Sequence, residues 1–330
     1  MIAVACGGSS GTGFGSSGGG TTSSGSGGSG GGSGSGSGGN GGSSGSSFGG
    51  SGGSSGSTSG NGNGCSGQAA DYVYVLSAEN DLYSFAPAQK VFTKIGTLGC
   101  QTTMQPNSMA VDRNAVAWVN YVQSDKRGND TAGVIYQVST QDATCQPTPT
   151  VTLPAGFYRV GMGYSTQGTS TSETLYIAGT GNGAGGSGTG LGEISGTTAT
   201  SLGMFTGTLA GQNAELTGTG DGRLFGFFTT VPTVQVAQIQ TDSTQGTPGT
   251  ILSQTPMNGV VPPTDWAFSF WGGHFYLYTS LGLPAPIGMG SNVTDYDPVS
   301  GSIDTTYMQN IGFDIVGAGV STCAPVTAPQ

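Results

Sequence analysis

Five segments of the chain repeat one order of pieces, and the outermost two are each incomplete. A first piece of small residues occupies 108–112, 159–163, 215–219, 265–269 and 314–318. Successive starts lie about 50 residues apart, a spacing typical of propeller blades. Second, aromatic-rich pieces follow in register at 115–119, 174–178, 223–227 and 274–278, and third pieces at 133–138, 190–194, 234–239 and 292–296. The unit before them has a second piece, 72–76, and a third, 81–85, but no first, whereas 313–323 is a first piece with nothing after it. Two halves that complete one blade close a ring and leave no sheet edge open. The apolar runs are short, rich in Val, Ile, Tyr, Phe and Trp, alternate in places with period two, and carry no 3.6-residue stripe. The chain therefore reads as all-β, a five-bladed β-propeller closed by its own C-terminal strand. Gly161, Gly163, Gly218, Ala267, Gly317 and Gly319 in the first pieces allow five strands to crowd one axis. A β-sandwich, the rival fold, does not predict a circularly split repeat.

The cysteines agree with a ring. Apart from Cys6 there are four, Cys65, Cys100, Cys145 and Cys323, which allow three pairings. Cys65 precedes the second strand of the split blade and Cys323 follows its first strand, so closure brings them together. Cys100 ends that blade's outer strand and Cys145 begins the outer strand of the next. The expected bonds are Cys65 with Cys323 and Cys100 with Cys145, which implies an oxidising compartment.

Before Asp71 there is no charged residue, and 7–64 is almost wholly Gly, Ser, Thr and Asn, broken by Phe14 and Phe48. So little apolar surface cannot offset ordering entropy, and this linker is expected to be disordered, with the propeller at 65–330. Residues 1–6 and Gly7, reading MIAVACG, resemble the end of a bacterial lipoprotein signal peptide. The resemblance implies a lipid on Cys6; as a flexible coil the linker would reach about 40 Å root-mean-square, and the lipid would be the only membrane attachment. Gly7 in place of the Asp that retains such lipoproteins on the inner membrane implies the outer membrane or cell surface. No downstream stretch has the 18 or so apolar residues a spanning helix needs.

Charge excludes one partner class. With 17 acidic and 7 basic residues the formal charge is -10, and so few cations cannot neutralise a run of nucleic-acid phosphates. The single His274 excludes a multi-histidine metal site. No cofactor is expected, since the glycines at 181–190 interrupt two strands of one blade and open no helix as a phosphate loop does.

Aligning the first pieces places Ser108, Arg159, Glu215, Asp265 and Asp314 at one position, before the apolar run. Facing the axis, they would gather three carboxylates, a guanidinium and a hydroxyl at the funnel mouth, fit for a small polar ligand, a sugar or a cation. Facing solvent, they would only cap strand ends. Trp266, Trp271, Tyr276 and Tyr278 offer faces for sugar stacking or, by their period-two spacing, core. Asn114 and Asp221-Gly222 match hairpin turns. Asp295 and Asp297, or Asp112 with Asn114, could offer oxygen ligands to Ca²⁺ without the spacing of a dedicated loop. His274 has no motif around it that would make a Ser-His-Asp arrangement.

The segments 215–225, 266–273 and 315–325 resemble uncharacterised envelope lipoproteins of the myxobacterial type, which join a Gly/Ser linker to a propeller-like domain. The resemblance implies location and fold and brings no activity. The first expectation is a non-enzymatic surface lipoprotein whose propeller binds a protein or a glycan. The second is a glycoside hydrolase using Glu215, Asp265 and Asp314, for which carboxyl groups about 5–5.5 Å apart imply retention and about 6.5–9.5 Å inversion. A structural envelope component is the third.

Overall fold

The computed structural model describes residues 65, 70–168, 170–181, 187–229, 233–282 and 290–328. Cys6, the linker at 7–64 and residues 182–186 of the glycine-rich insertion lie outside them. Among the described residues, twenty strands form five four-stranded antiparallel sheets. In chain order, β1 (Val73–Ser77), β2 (Asp81–Ala86) and β3 (Val91–Thr97) make most of blade one, and β4 (Gln105–Val111), β5 (Val116–Ser124), β6 (Asp130–Ser139) and β7 (Val151–Thr152) make blade two. Blade three is β8 (Val160–Thr166), β9 (Glu173–Gly179), β10 (Gly190–Ser195) and β11 (Thr198–Gly203). Blade four is β12 (Ala214–Gly218), β13 (Leu224–Phe228), β14 (Gln235–Ile239) and β15 (Ile251–Pro256). Blade five is β16 (Asp265–Trp271), β17 (His274–Ser280), β18 (Asn292–Asp297) and β19 (Ser302–Met308), and β20 (Ile315–Gly319) ends the series.

β20 does not extend blade five. It pairs antiparallel with β1, Val75 opposite Ala318 and Leu76 opposite Gly317, and so supplies the inner strand of blade one. The inner strands β4, β8, β12, β16 and β20 each pack against the next, and β20 against β4 closes the circle. The fold is a five-bladed β-propeller whose first blade is completed by the C-terminal strand.

Period-two alternation places the core between blades rather than at one centre. On β1, Tyr74 and Leu76 join Met109, Val111 and Val119 of blade two, while Val73 and Val75 join Tyr276, Tyr278 and Val293 of blade five. Three further clusters fill the remaining clefts in the same way, giving five apolar wedges for five blade interfaces. A sandwich would have one layer instead.

Turns are set by local chemistry. Asp112 Oδ1 accepts the backbone amides of Asn114 (2.8 Å) and Val116 (3.0 Å), which builds the β4–β5 turn and uses one of the oxygens considered above for Ca²⁺. Gly222 turns β12 into β13 at φ 87°, a conformation that favours glycine. Both disulfides pair as expected, Cys65–Cys323 and Cys100–Cys145. Beside the first, the buried face of Glu173 at the start of β9 accepts the Thr322 hydroxyl and the Arg113 amide, both at 2.8 Å. The segment after β20 is thus latched to blades two and three as well as to Cys65.

Candidate functional site

Each inner strand pairs on one side only, so its other backbone edge faces the axis and needs partners that no strand provides. Side chains supply them. The Met162 amide of β8 donates to Ser108 Oγ (3.1 Å) and to Glu215 Oε1 (3.4 Å), and the Ser108 hydroxyl donates to Glu215 Oε1. The Phe270 amide of β16 donates likewise to Thr217 Oγ1 at 3.1 Å. Ser108 and Glu215, from β4 and β12, therefore meet across the inner edge of the strand between them. Glu215 is only 4% exposed, and burial pushes its carboxyl well above the usual carboxylate range, the bonds from Ser108 and Met162 opposing this less strongly.

Glu215 also lines a cavity of about 140 Å³ at the end of the axis where the inner strands begin, together with Asn107, Arg159, Thr180, Asp265 and Trp266. Arg159 lies just before β8 and is gripped by buried Asp130, Nε to Oδ2 at 3.0 Å and Nη2 to Oδ1 at 3.2 Å, while Nη1 donates to Asn107 Oδ1 at 2.6 Å. A guanidinium held by three bonds is a fixed donor surface and not a swinging side chain. Asp265, at the start of β16, is half-buried; burial raises its carboxyl pKa, the neighbouring charge of Asp314 raises it further, and Arg159 pulls it back only in part. The Thr264 hydroxyl donates to Asp265 Oδ2 at 3.4 Å.

Because the folded-state pKa of Asp265 lies above its unfolded value, ionising it opposes folding. That penalty is absent in acid and grows as pH rises through the folded pKa. A group kept at such a disadvantage is what ligand sites commonly contain, since an incoming donor or cation relieves it.

The five aligned residues thus occupy two depths rather than one. Ser108 and Glu215 meet inside the channel; Arg159 and Asp265 stand at the mouth, and Asp314 precedes β20 close enough for its charge to reach Asp265. The reason is register: β4 begins three residues before Ser108, and β8 one residue after Arg159. Sequence reading missed Asn107, Asp130 and Thr180. Asp130 offered one signal, an acidic residue opening a strand with an apolar run at Val134–Tyr136.

Of the aromatic candidates, Trp266 lines the mouth, Tyr276 and Tyr278 are core, and the Trp271 indole donates to the Ala70 carbonyl at 2.9 Å. His274 Nδ1 lies 2.8 Å from Asp295 Oδ1 at the opposite end of the ring. Asp297 accepts the Ser300 hydroxyl at 2.6 Å, and no group of three metal-ligating side chains occurs among the described residues. No described helix is long and apolar enough to cross a membrane.

No protein-family model and no curated protein matches the chain. Similar solved structures include a Bacteroides caccae protein of unknown function, 12% identical, with a TM-score of 0.39 over 75% of this chain and 97% of that one. A GH74 xyloglucanase from Xanthomonas campestris is 15% identical, with a TM-score of 0.37 over 71% of this chain and 35% of that one. A gluconolactonase from Xanthomonas campestris is 13% identical, with a TM-score of 0.36 over 62% of this chain and 68% of that one. At such values the function must be read from the chain's own residues.

Proposed function

We propose that the chain is a lipid-anchored protein of the outer membrane or cell surface whose propeller is a non-enzymatic binding module. Its ligand site is the axial mouth, and the ligand is a small polar molecule or the end of a glycan. One observation carries this: a single cavity gathers the penalised carboxyl of Asp265, the immobilised guanidinium of Arg159, the acid of Glu215 and the indole of Trp266. Carboxyl acceptors beside a fixed donor and a flat ring match the alternating hydroxyls and C–H face of a sugar. The anchor reading rests on the MIAVACG start and the glycine-serine linker. Two disulfides agree with export.

A glycoside hydrolase reading is favoured by Glu215, a carboxyl whose burial favours the protonated form, in the same cavity as Asp265. Against it, Glu215 Oε1 is already occupied by Ser108 and the Met162 amide, so the acid is committed to the channel wall.

The test has two arms. In the producing bacterium, Cys6→Ser should move the chain from the membrane to the soluble fraction; an unchanged membrane association contradicts the anchor. With purified full chain, saturation-transfer NMR over a panel of mono- and disaccharides should detect a ligand whose signal is lost in Glu215→Gln/Asp265→Asn/Asp314→Asn. Signal that survives in that variant contradicts the mouth, and release of new reducing ends by the wild type alone establishes hydrolysis instead.

A further inference from the structure

The far face of the ring, where the inner strands end, holds a larger feature that the mouth does not use. A cleft of about 810 Å³ lies between blades three and four, with Tyr176 on one wall and Gln240 on the other. A second of about 540 Å³ lies between blades four and five, between Ser253 and His274. Both are bounded by Arg223 and Gln238, so they abut at blade four. Each is in the size range of a small-ligand site, and together they form a trough that no compact ligand would fill.

The trough is lined mainly by hydrogen-bonding side chains, and its charged groups are more acidic than basic, with Arg223 against Asp221, Glu193, Asp242 and Asp297. Two of its polar side chains are already paired: Arg223 Nη2 with Asp221 Oδ2 at 2.8 Å, and His274 Nδ1 with Asp295 Oδ1 at 2.8 Å. The Asp242 carboxylate at the rim is occupied by the Thr244 amide and hydroxyl, at 2.8 and 2.7 Å. The rest of the polar wall is largely glutamine, serine and threonine, side chains that both donate and accept. Tyr176 stands in the first cleft and Phe225 and Tyr296 in the second, with the guanidinium of Arg223 5.6 Å above the Phe225 ring. A polyanion would meet the carboxylates of Glu193, Asp242 and Asp297 and a chain of charge -10.

We propose that this trough is a binding site for a neutral polysaccharide, which lies across the far end of blade four with several sugar units on either side of Arg223. Paired amide and hydroxyl side chains take the sugar hydroxyls. Arg223, held by Asp221, marks the point where the chain crosses from one cleft to the next. The site is separate from the mouth and stands or falls without it.

Affinity electrophoresis of the full chain in gels containing a soluble neutral β-glucan, a galactomannan or polygalacturonate tests it. At least one neutral polymer should retard the wild type, and polygalacturonate should not. Arg223→Ala and Ser253→Trp, the second on the exposed outer strand where folding is not at stake, should each weaken retardation at least tenfold, whereas Gly99→Ala, remote from the trough and from the mouth, should leave it unchanged. Absence of retardation by both neutral polymers, retardation by polygalacturonate alone, or retardation indifferent to both trough variants overturns the assignment.

Discussion

Replacing Cys65 and Cys323 together with serine is expected to produce one of the two largest stability losses available in this chain. The bond closes a loop of 258 residues, against 45 for Cys100–Cys145. Loop-entropy arithmetic gives about 5.5 kcal/mol for the long loop and about 4 kcal/mol for the short one, so the two double variants should differ by roughly 1.5 kcal/mol. The ordering has a structural basis besides loop length. Cys323 follows β20, the strand that completes blade one, and the same segment is held to Glu173 through Thr322. Without the bond, β20 keeps its pairing with β1, its packing against β4 and β16 and the Thr322 bond to Glu173, but loses its covalent tie to Cys65. Urea unfolding of the two double variants beside the wild type measures the difference. A loss under about 1 kcal/mol for the Cys65/Cys323 variant would mean that the C-terminal segment is not what holds the ring shut.

Gly161→Ala is expected to lower the melting temperature by about 10 °C, for a reason unrelated to turns. Gly161 lies inside β8 with ordinary strand geometry. A Cβ there would sit 2.1 Å from the Ala214 carbonyl oxygen and 2.7 Å from Glu215 Cα, both backbone atoms of β12. Neither can be relieved by a rotamer change, so β8 and β12 must separate, and in a closed ring that displacement is shared by all five inner strands. Overpacking of this kind costs about 3 kcal/mol, and each kcal/mol is worth roughly 2–4 °C in a domain of this size. The control is Gly99→Ala, where an added methyl meets nothing within 4 Å. It should stay within about 0.5 kcal/mol of wild type. Equal melting temperatures for the two variants would contradict the close approach of inner strands at the axis.

Much of the architecture was legible because closure leaves marks on the sequence. The first pieces at 108–112, 159–163, 215–219, 265–269 and 314–318 fall on β4, β8, β12, β16 and β20, shifted by no more than three residues at their starts. The missing first piece before β1 and the orphan β20 dictated the split blade, and that in turn dictated Cys65–Cys323. Outer strands were the hardest to see. β11, β15 and β19 contain only exposed and half-buried residues, none fully buried, so they carry little of the apolar alternation that marks a strand packed on both faces.

The mouth was legible by residue type and not by depth. Similarity between apolar runs fixes where each run begins, but the polar residues ahead of it belong to the strand in β4 and precede it in β8. Ser108 and Arg159 therefore look equivalent and are not. Contacts between distant strands were invisible for a related reason. The grip of Asp130 on Arg159 spans 29 residues, and that of Asp295 on His274 spans 21. Each depends on which residues two strands place side by side, a fact that only the assembled sheet contains. Trp266 shows the same limit: its period-two spacing matches core, and only its place at the start of an inner strand turns it toward the cavity.

The mouth exists only if β20 closes the ring beside β16, because Asp265 belongs to one and Asp314 immediately precedes the other. Titration of the Asp265 side-chain carboxyl by ¹³C NMR, in wild type and in Asp314→Asn, tests that closure at the site itself. Burial and the Asp314 charge should place the wild-type midpoint above that of an ordinary aspartate, and removing the charge should lower it, leaving the part due to burial. An Asp265 midpoint at the ordinary value, or one that does not move in Asp314→Asn, would contradict a ring closed by the C-terminal strand and the binding mouth built upon it.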